Sequence, residues 1–134
     1  MSESDKGQDC QLLPSPELLK AVEEFNSGEW FECHETLEDL WVGSQGELRD
    51  FYQGMLMIAV ALHHWRDGNY KGSVLLLDKG TSHLGRVRAV CQGIEVVSAI
   101  AEATRFRDTL VGLGPDKMAQ LDPHLVPRLR LASQ

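Results

Sequence analysis

The sequence predicts an all-α protein: a compact bundle of about five helices in one domain. Three observations carry this. Apolar residues recur at helical spacing through five stretches, which short runs of Gly, Asn and Ser separate. One of them, residues 48–65, is apolar around its whole wheel (Phe51, Tyr52, Met55, Leu56, Ile58, Ala59, Val60, Leu62), the mark of a helix buried at the centre of a bundle. No stretch shows the alternation of a strand.

Taken in order, residues 1–13 read as a flexible tail. The acidic start, Met1 to Asp9, has no apolar core and resembles neither a signal nor a transit peptide. Ser15-Pro-Glu opens the first helix, with serine at the cap and proline in the first turn. That helix runs to about Phe25, where Asn26-Ser-Gly-Glu breaks it. The second runs to about Val42 and ends in the loop Gly43-Ser-Gln-Gly. The central helix, residues 48–65, stops at Asp67-Gly-Asn. The fourth starts near Tyr70 and passes Leu84, with Val74, Leu77, Thr81 and Leu84 at core spacing; Gly80 inside it either weakens the helix or marks a close helix contact. Gln92-Gly-Ile-Glu opens the last helix, about residues 95–113. Pro115, Pro123 and Pro127 make residues 115–134 an irregular extension packed on a domain that spans 14–114.

A faint repeat at a spacing of 40 relates Ala21 to Ala61, Phe25 to Trp65, Gly28 to Gly68, Trp30 to Tyr70, Leu37 to Leu77 and Glu38 to Asp78. Each copy is a helix, a glycine turn and a second helix opened by an aromatic residue. Two copies are too few for a solenoid, so they predict a closed bundle of two hairpins.

The chain has 134 residues, 43% hydrophobic and 25% charged, enough to bury a real core. Its net charge of −7 disfavours nucleic acid and anionic membranes as partners. The charge is uneven: residues 1–50 carry 13 acids and 3 bases, residues 51–134 carry 7 acids and 10 bases. The two halves are therefore expected to face each other within one bundle or across a dimer, and the chain is expected to form a homo-oligomer. Cys10, Cys33 and Cys91, odd in number and without a CxxC pair, read as free thiols in a reducing, cytoplasmic setting. The longest apolar run, Met55 to Leu62, is too short to span a bilayer.

The most distinctive segment is Phe31-Glu-Cys-His-Glu-Thr-Leu-Glu-Asp-Leu-Trp41. On a helical wheel Trp30, Leu37 and Trp41 share a line, Cys33 and Leu40 flank it on one side, and Phe31 and Val42 on the other. His34 and Glu38, one turn apart, then fall between Trp41 and Phe31, inside the apolar stripe. Burial there without partners costs on the order of several kcal/mol, so a polar network is expected.

Together with Phe25-Asn-x-Gly-x-Trp, with Phe51-Tyr-Gln-Gly-x-Leu, and with Ala59-Val-Ala-Leu-His-His followed by Gly68-Asn-Tyr-x-Gly72, this segment resembles the bacterial, archaeal and plastid family of domain of unknown function 309 over about residues 17–100. The resemblance implies an all-helical fold around a central helix and no particular activity. Its motif positions are Phe31, Glu32, His34, Glu35, Leu37, Glu38, Trp41, Gln53, Gly54, Gly68 and Asn69. Met57 stands where the family often has glutamine, and Glu95 where aspartate is usual.

Two functional readings follow. In the first, Glu38 or Glu35, Gln53, a Trp N–H, His34 and His64 form a buried network that fixes helix register, and the protein is a non-enzymatic interaction or scaffold module without cofactor, binding a protein partner or its own copies. Trp41 belongs to that network, and Asn69 is a helix cap with Gly68 as its turn residue. In the alternative, His34, Glu38 and His64 hold one divalent metal ion and Glu35 is the base of a hydrolase. His63 and His83 are expected at the surface. Cys33 is expected to be buried and inert.

Overall fold

The computed structural model describes residues 9–132 and consists of five α-helices: α1 (Pro16–Asn26), α2 (Trp30–Val42), α3 (Gly46–Arg66), α4 (Tyr70–Leu84) and α5 (Val96–Leu113). The helices begin where local chemistry lets them. Ser15 Oγ accepts the Leu18 N–H at 3.1 Å with Pro16 next in line, and Asn69 Oδ1 accepts the Gly72 N–H at 2.9 Å. The turns between α1 and α2 and between α3 and α4 pivot on Gly28 and Gly68, with φ of 79° and 80°, a conformation that favours glycine. The repeat seen in the sequence is thus a pair of hairpins, α1–α2 and α3–α4. Its matched residues Ala21, Ala61, Leu37 and Leu77 are all fully buried.

The central helix is α3. It packs most extensively on α4 and α2, while α1 leans on α2 and α5 on α4. Phe51, Met55, Ile58, Ala59 and Leu62 are all buried, joined in the core by Leu18, Phe25, Leu37, Leu77, Phe106 and Leu110. Their burial is the main stabilising term, at about 25 cal/mol per Å² of apolar surface removed from water. Tryptophans knit the two hairpins: Trp30 and Trp65 meet edge to face at 6.4 Å, and Trp65 meets Phe106 at 5.3 Å. Arg66 stacks over Trp30 and donates to the Gly28 carbonyl at 2.8 Å, tying one hairpin turn to the helix that leads into the other.

Three expectations are corrected. Between α4 and α5 lies a small antiparallel hairpin, β1 (Val90–Cys91) with β2 (Ile94–Glu95), where no strand was expected. Its turn, Gln92-Gly93, has φ of 47° and 78°, so these residues close a tight hairpin instead of opening α5. Cys10 and Cys91 form a disulfide across 81 residues of sequence; Cys33 alone is free. Residues 9–13 are therefore fastened: Asp9–Gln11 form a 3-10 turn, Cys10 is buried, and its carbonyl accepts the Gln92 N–H at 2.6 Å. Residues 1–8 of the expected tail lie outside the described residues. The bond also removes the cysteine-based argument for a reducing compartment.

The other end of the chain meets the same hairpin. After 3-10 turns at Pro115–Gln120 and Pro123–Leu125, the chain passes Asn26, whose side chain donates to the Leu129 carbonyl and accepts its N–H, both at 2.9 Å. The Arg130 carbonyl then takes the Glu95 N–H, and Ala132 N–H reaches Gly93. Met118, Leu121 and Leu129 are buried along this path. Among the described residues, no helix is long and apolar enough to cross a membrane.

Candidate functional site

The ionisable residues of α2 lie at its surface. The buried arc of α2 is only Trp30, Cys33 and Leu37. Phe31 is 52% exposed and Val42 67%, so the wheel position between Trp41 and Phe31 is the edge of the stripe and not its interior. His34 is half-buried and Glu38 exposed, with Nε2 and Oε1 4.0 Å apart, a loose surface pair. Glu35 is exposed and joins none of the ion pairs among the described residues.

The residues read as one polar network fall into three separate groups. His34 and Glu38 face outward together. Trp41 Nε1 donates to Gln53 Oε1 at 2.8 Å, a partly buried bond between α2 and α3, with the Arg49 guanidinium 3.9 Å above the Trp41 ring. His64 Nδ1 lies 3.3 Å from Asn69 Nδ2, at the turn that starts α4. His64 is thereby committed to the Asn69 cap, and the proposed metal set of His34, Glu38 and His64 does not converge. Among the described residues no group of three or more His, Cys, Asp or Glu side chains is placed to hold a metal ion.

His63 and His83 are less open than expected. His83 Nδ1 lies 2.8 Å from Asp50 Oδ1, which also accepts from Arg86 at 3.2 Å. His63 Nε2 lies 3.3 Å from Asp67, while its Nδ1 is buried without a hydrogen-bond partner. Phe31 bridges the helices here, with its ring 6.3 Å from His34 and 6.2 Å from His63. Trp30, Phe31, His34, Val60 and His63 enclose an apolar cleft of about 220 Å³ between α2 and α3.

Sequence reasoning missed this cleft and a buried acid. Glu24 on α1 is 8% exposed and accepts the Thr36 hydroxyl at 2.8 Å. Its place three residues after Ala21 and six after Leu18 was the available signal, since that is the core face of α1. Burial pushes the neighbouring Cys33 thiol far up, Glu24 adds to the push, and the thiol donates to the Ala21 carbonyl at 3.3 Å. Cys33 is accordingly a packed, protonated core residue.

The exposed face of α2 is one stripe. Phe31, Glu35, Glu38 and Val42 follow one another at intervals of four, three and four residues, apolar at both ends and acidic between. Glu32 and Asp39 lie exposed beside it, and among the described residues none of these acids pairs with a lysine or arginine. Three acids elsewhere are matched by arginines: Glu47 with Arg88, Asp78 with Arg107, Glu102 with Arg130. The basic second half thus neutralises Glu47 and Asp50 of the first but leaves α2 uncovered.

Residues 18–76 match the model of the family described as Domain of unknown function (DUF309), which covers α1 to α3 and the first half of α4. Glu95 lies beyond that match. Two relatives are similar in sequence. An uncharacterized protein of Aquifex aeolicus (strain VF5) is 36% identical over 55 residues, 40% of this chain and 16% of the relative. The uncharacterized protein YpuF of Bacillus subtilis (strain 168) is 32% identical over 107 residues, 66% of this chain and 62% of the relative. The chain spans less than two thirds of the length of either.

Proposed function

We propose that the protein is a non-enzymatic interaction module whose working surface is the outward stripe of α2. The observation that carries this reading is the stripe itself: Phe31 and Val42 exposed at its ends, with Glu35 and Glu38 between them paired with no lysine or arginine among the described residues. Exposed aromatic residues beside a preformed apolar cleft are the anchors of protein interfaces, and unpaired rim charges set the partner's sign and its rate of approach. The remaining polar side chains of the motif serve the fold: Gln53 holds Trp41, and Asn69 caps α4.

The test compares the proteins retained from an extract of the source organism by the wild-type chain and by the Phe31→Ser/Val42→Ser variant, after unfolding curves have established that both are folded. The reading expects a defined set held by the wild type and lost from the variant. Identical sets on both would contradict it.

A further inference from the structure

Resting on the interaction reading above, we infer that the α2 stripe and its cleft receive a basic amphipathic helix of another protein, one that seats an apolar side chain beside Phe31 and lays lysine or arginine over Glu35 and Glu38. The geometry sets the pattern of that helix. From Phe31 to Val42 the stripe advances 11 residues along α2, which at about 1.5 Å per residue is roughly 16 Å, or three helical turns. A partner helix lying along it matches apolar end to apolar end if its own apolar residues stand at i and i+11. Its bases then belong at i+4 and i+7, opposite the two glutamates.

The cleft supplies the anchor point. Trp30, Phe31, Val60 and the two imidazoles of His34 and His63 leave about 220 Å³ between α2 and α3, the scale of one or two side chains and under the roughly 300–1,000 Å³ of a small-molecule site.

Charge selects the occupant. Glu32, Glu35, Glu38 and Asp39 crowd one face of α2, and no lysine or arginine among the described residues answers them. A second copy of this chain is the poorer match, because its net charge of −7 sets two acidic molecules against each other. An acidic partner is repelled outright.

The experiment follows backbone amide resonances of the full chain, labelled with nitrogen-15, on adding a synthetic helical peptide with leucine at i and i+11 and lysine at i+4 and i+7. A twin peptide carries glutamate in place of the lysines. The lysine peptide is expected to move the resonances of Phe31, Glu35, Glu38, Val42 and His63, to bind about tenfold more tightly than its twin, and to weaken as salt is added. The Glu35→Lys/Glu38→Lys variant is expected to invert the preference. Equal binding of both peptides, or no movement on α2 with either, overturns the inference. If instead the chain dimerises through α2, with Phe31→Ser abolishing the dimer, the occupant is a second copy; the inference fails while the interaction reading stands. If the peptides are silent and the Phe31→Ser/Val42→Ser variant retains the same extract proteins as the wild type, both fall.

Discussion

Gly54 on α3 and Gly80 on α4 lie back to back: a methyl group built on either would stand 2.9 Å from the other's carbonyl oxygen. The same methyl on Gly54 would reach 2.6 Å from Leu84, and that on Gly80 2.8 Å from Ile58. The two glycines therefore set how closely the second hairpin can close, and the core between α3 and α4 is packed at that spacing.

Gly54→Ala and Gly80→Ala each favour their own helix by about 1 kcal/mol through propensity. The backbone contact outweighs this, because forcing an extra carbon into a packed crossing costs about 1–3 kcal/mol and here the obstacle is a carbonyl that cannot rotate away. Both variants should unfold at lower urea than the wild type. A stabilised Gly80→Ala would mean that α3 and α4 are farther apart than described.

The Trp41–Gln53 bond joins the distinctive segment of α2 to the central helix. Gln53→Ala should lower stability by about 1 kcal/mol, as the loss of one partly buried hydrogen bond does. In a double-mutant cycle with Trp41→Phe the two changes should couple, the second costing little once the first is made. Strict additivity would show that the bond contributes nothing.

Cys33 makes stability fall in alkali. Burial first, and the Glu24 carboxylate second, raise the thiol's pKa far above its usual range, so the folded chain keeps a proton that the unfolded chain gives up above about pH 8.5. The contribution is whole below that pH and is lost as pH rises, by up to about 1.4 kcal/mol per unit. Urea unfolding between pH 7 and 10 should be steeper in pH for the wild type than for Cys33→Ala. Equal slopes would contradict the burial of the thiol.

Reducing the Cys10–Cys91 disulfide releases residues 9–13 from the β1–β2 hairpin and loosens the unfolded chain over 81 residues. Stability should drop by about 2–4 kcal/mol. Hydrogen exchange should quicken at Gln92, whose N–H is held by the Cys10 carbonyl, before it quickens in α3. Uniform acceleration throughout the chain would show that the bond fastens more than the hairpin.

Much of the fold was legible because the signals were local. Ser15 with Pro16, Asn69, and the glycines at 28 and 68 each act within one turn of the chain, and each stands where the helices start or stop. The hairpin at 90–95 escaped because strands of two residues are too short to alternate, and Gln92-Gly93 offers only its glycine as a turn signal. The disulfide could not be read at all, since nothing local links Cys10 to Cys91. The site was misplaced for a subtler reason. The wheel correctly put His34 and Glu38 beside Phe31, but aromatic character was taken as burial, and Phe31 faces outward. Which side of a helix the neighbours cover is tertiary information, and α1 and α3 together bury only the arc of Trp30, Cys33 and Leu37.

The central claim is that the stripe from Phe31 to Val42 is free to serve a partner because the fold does not depend on it. Urea unfolding of the Phe31→Ser/Val42→Ser variant tests this most directly. The expected loss is below about 1 kcal/mol, in keeping with surface positions. A loss of about 3 kcal/mol or more, the cost of removing one buried phenylalanine, would place the stripe inside the fold and contradict the account.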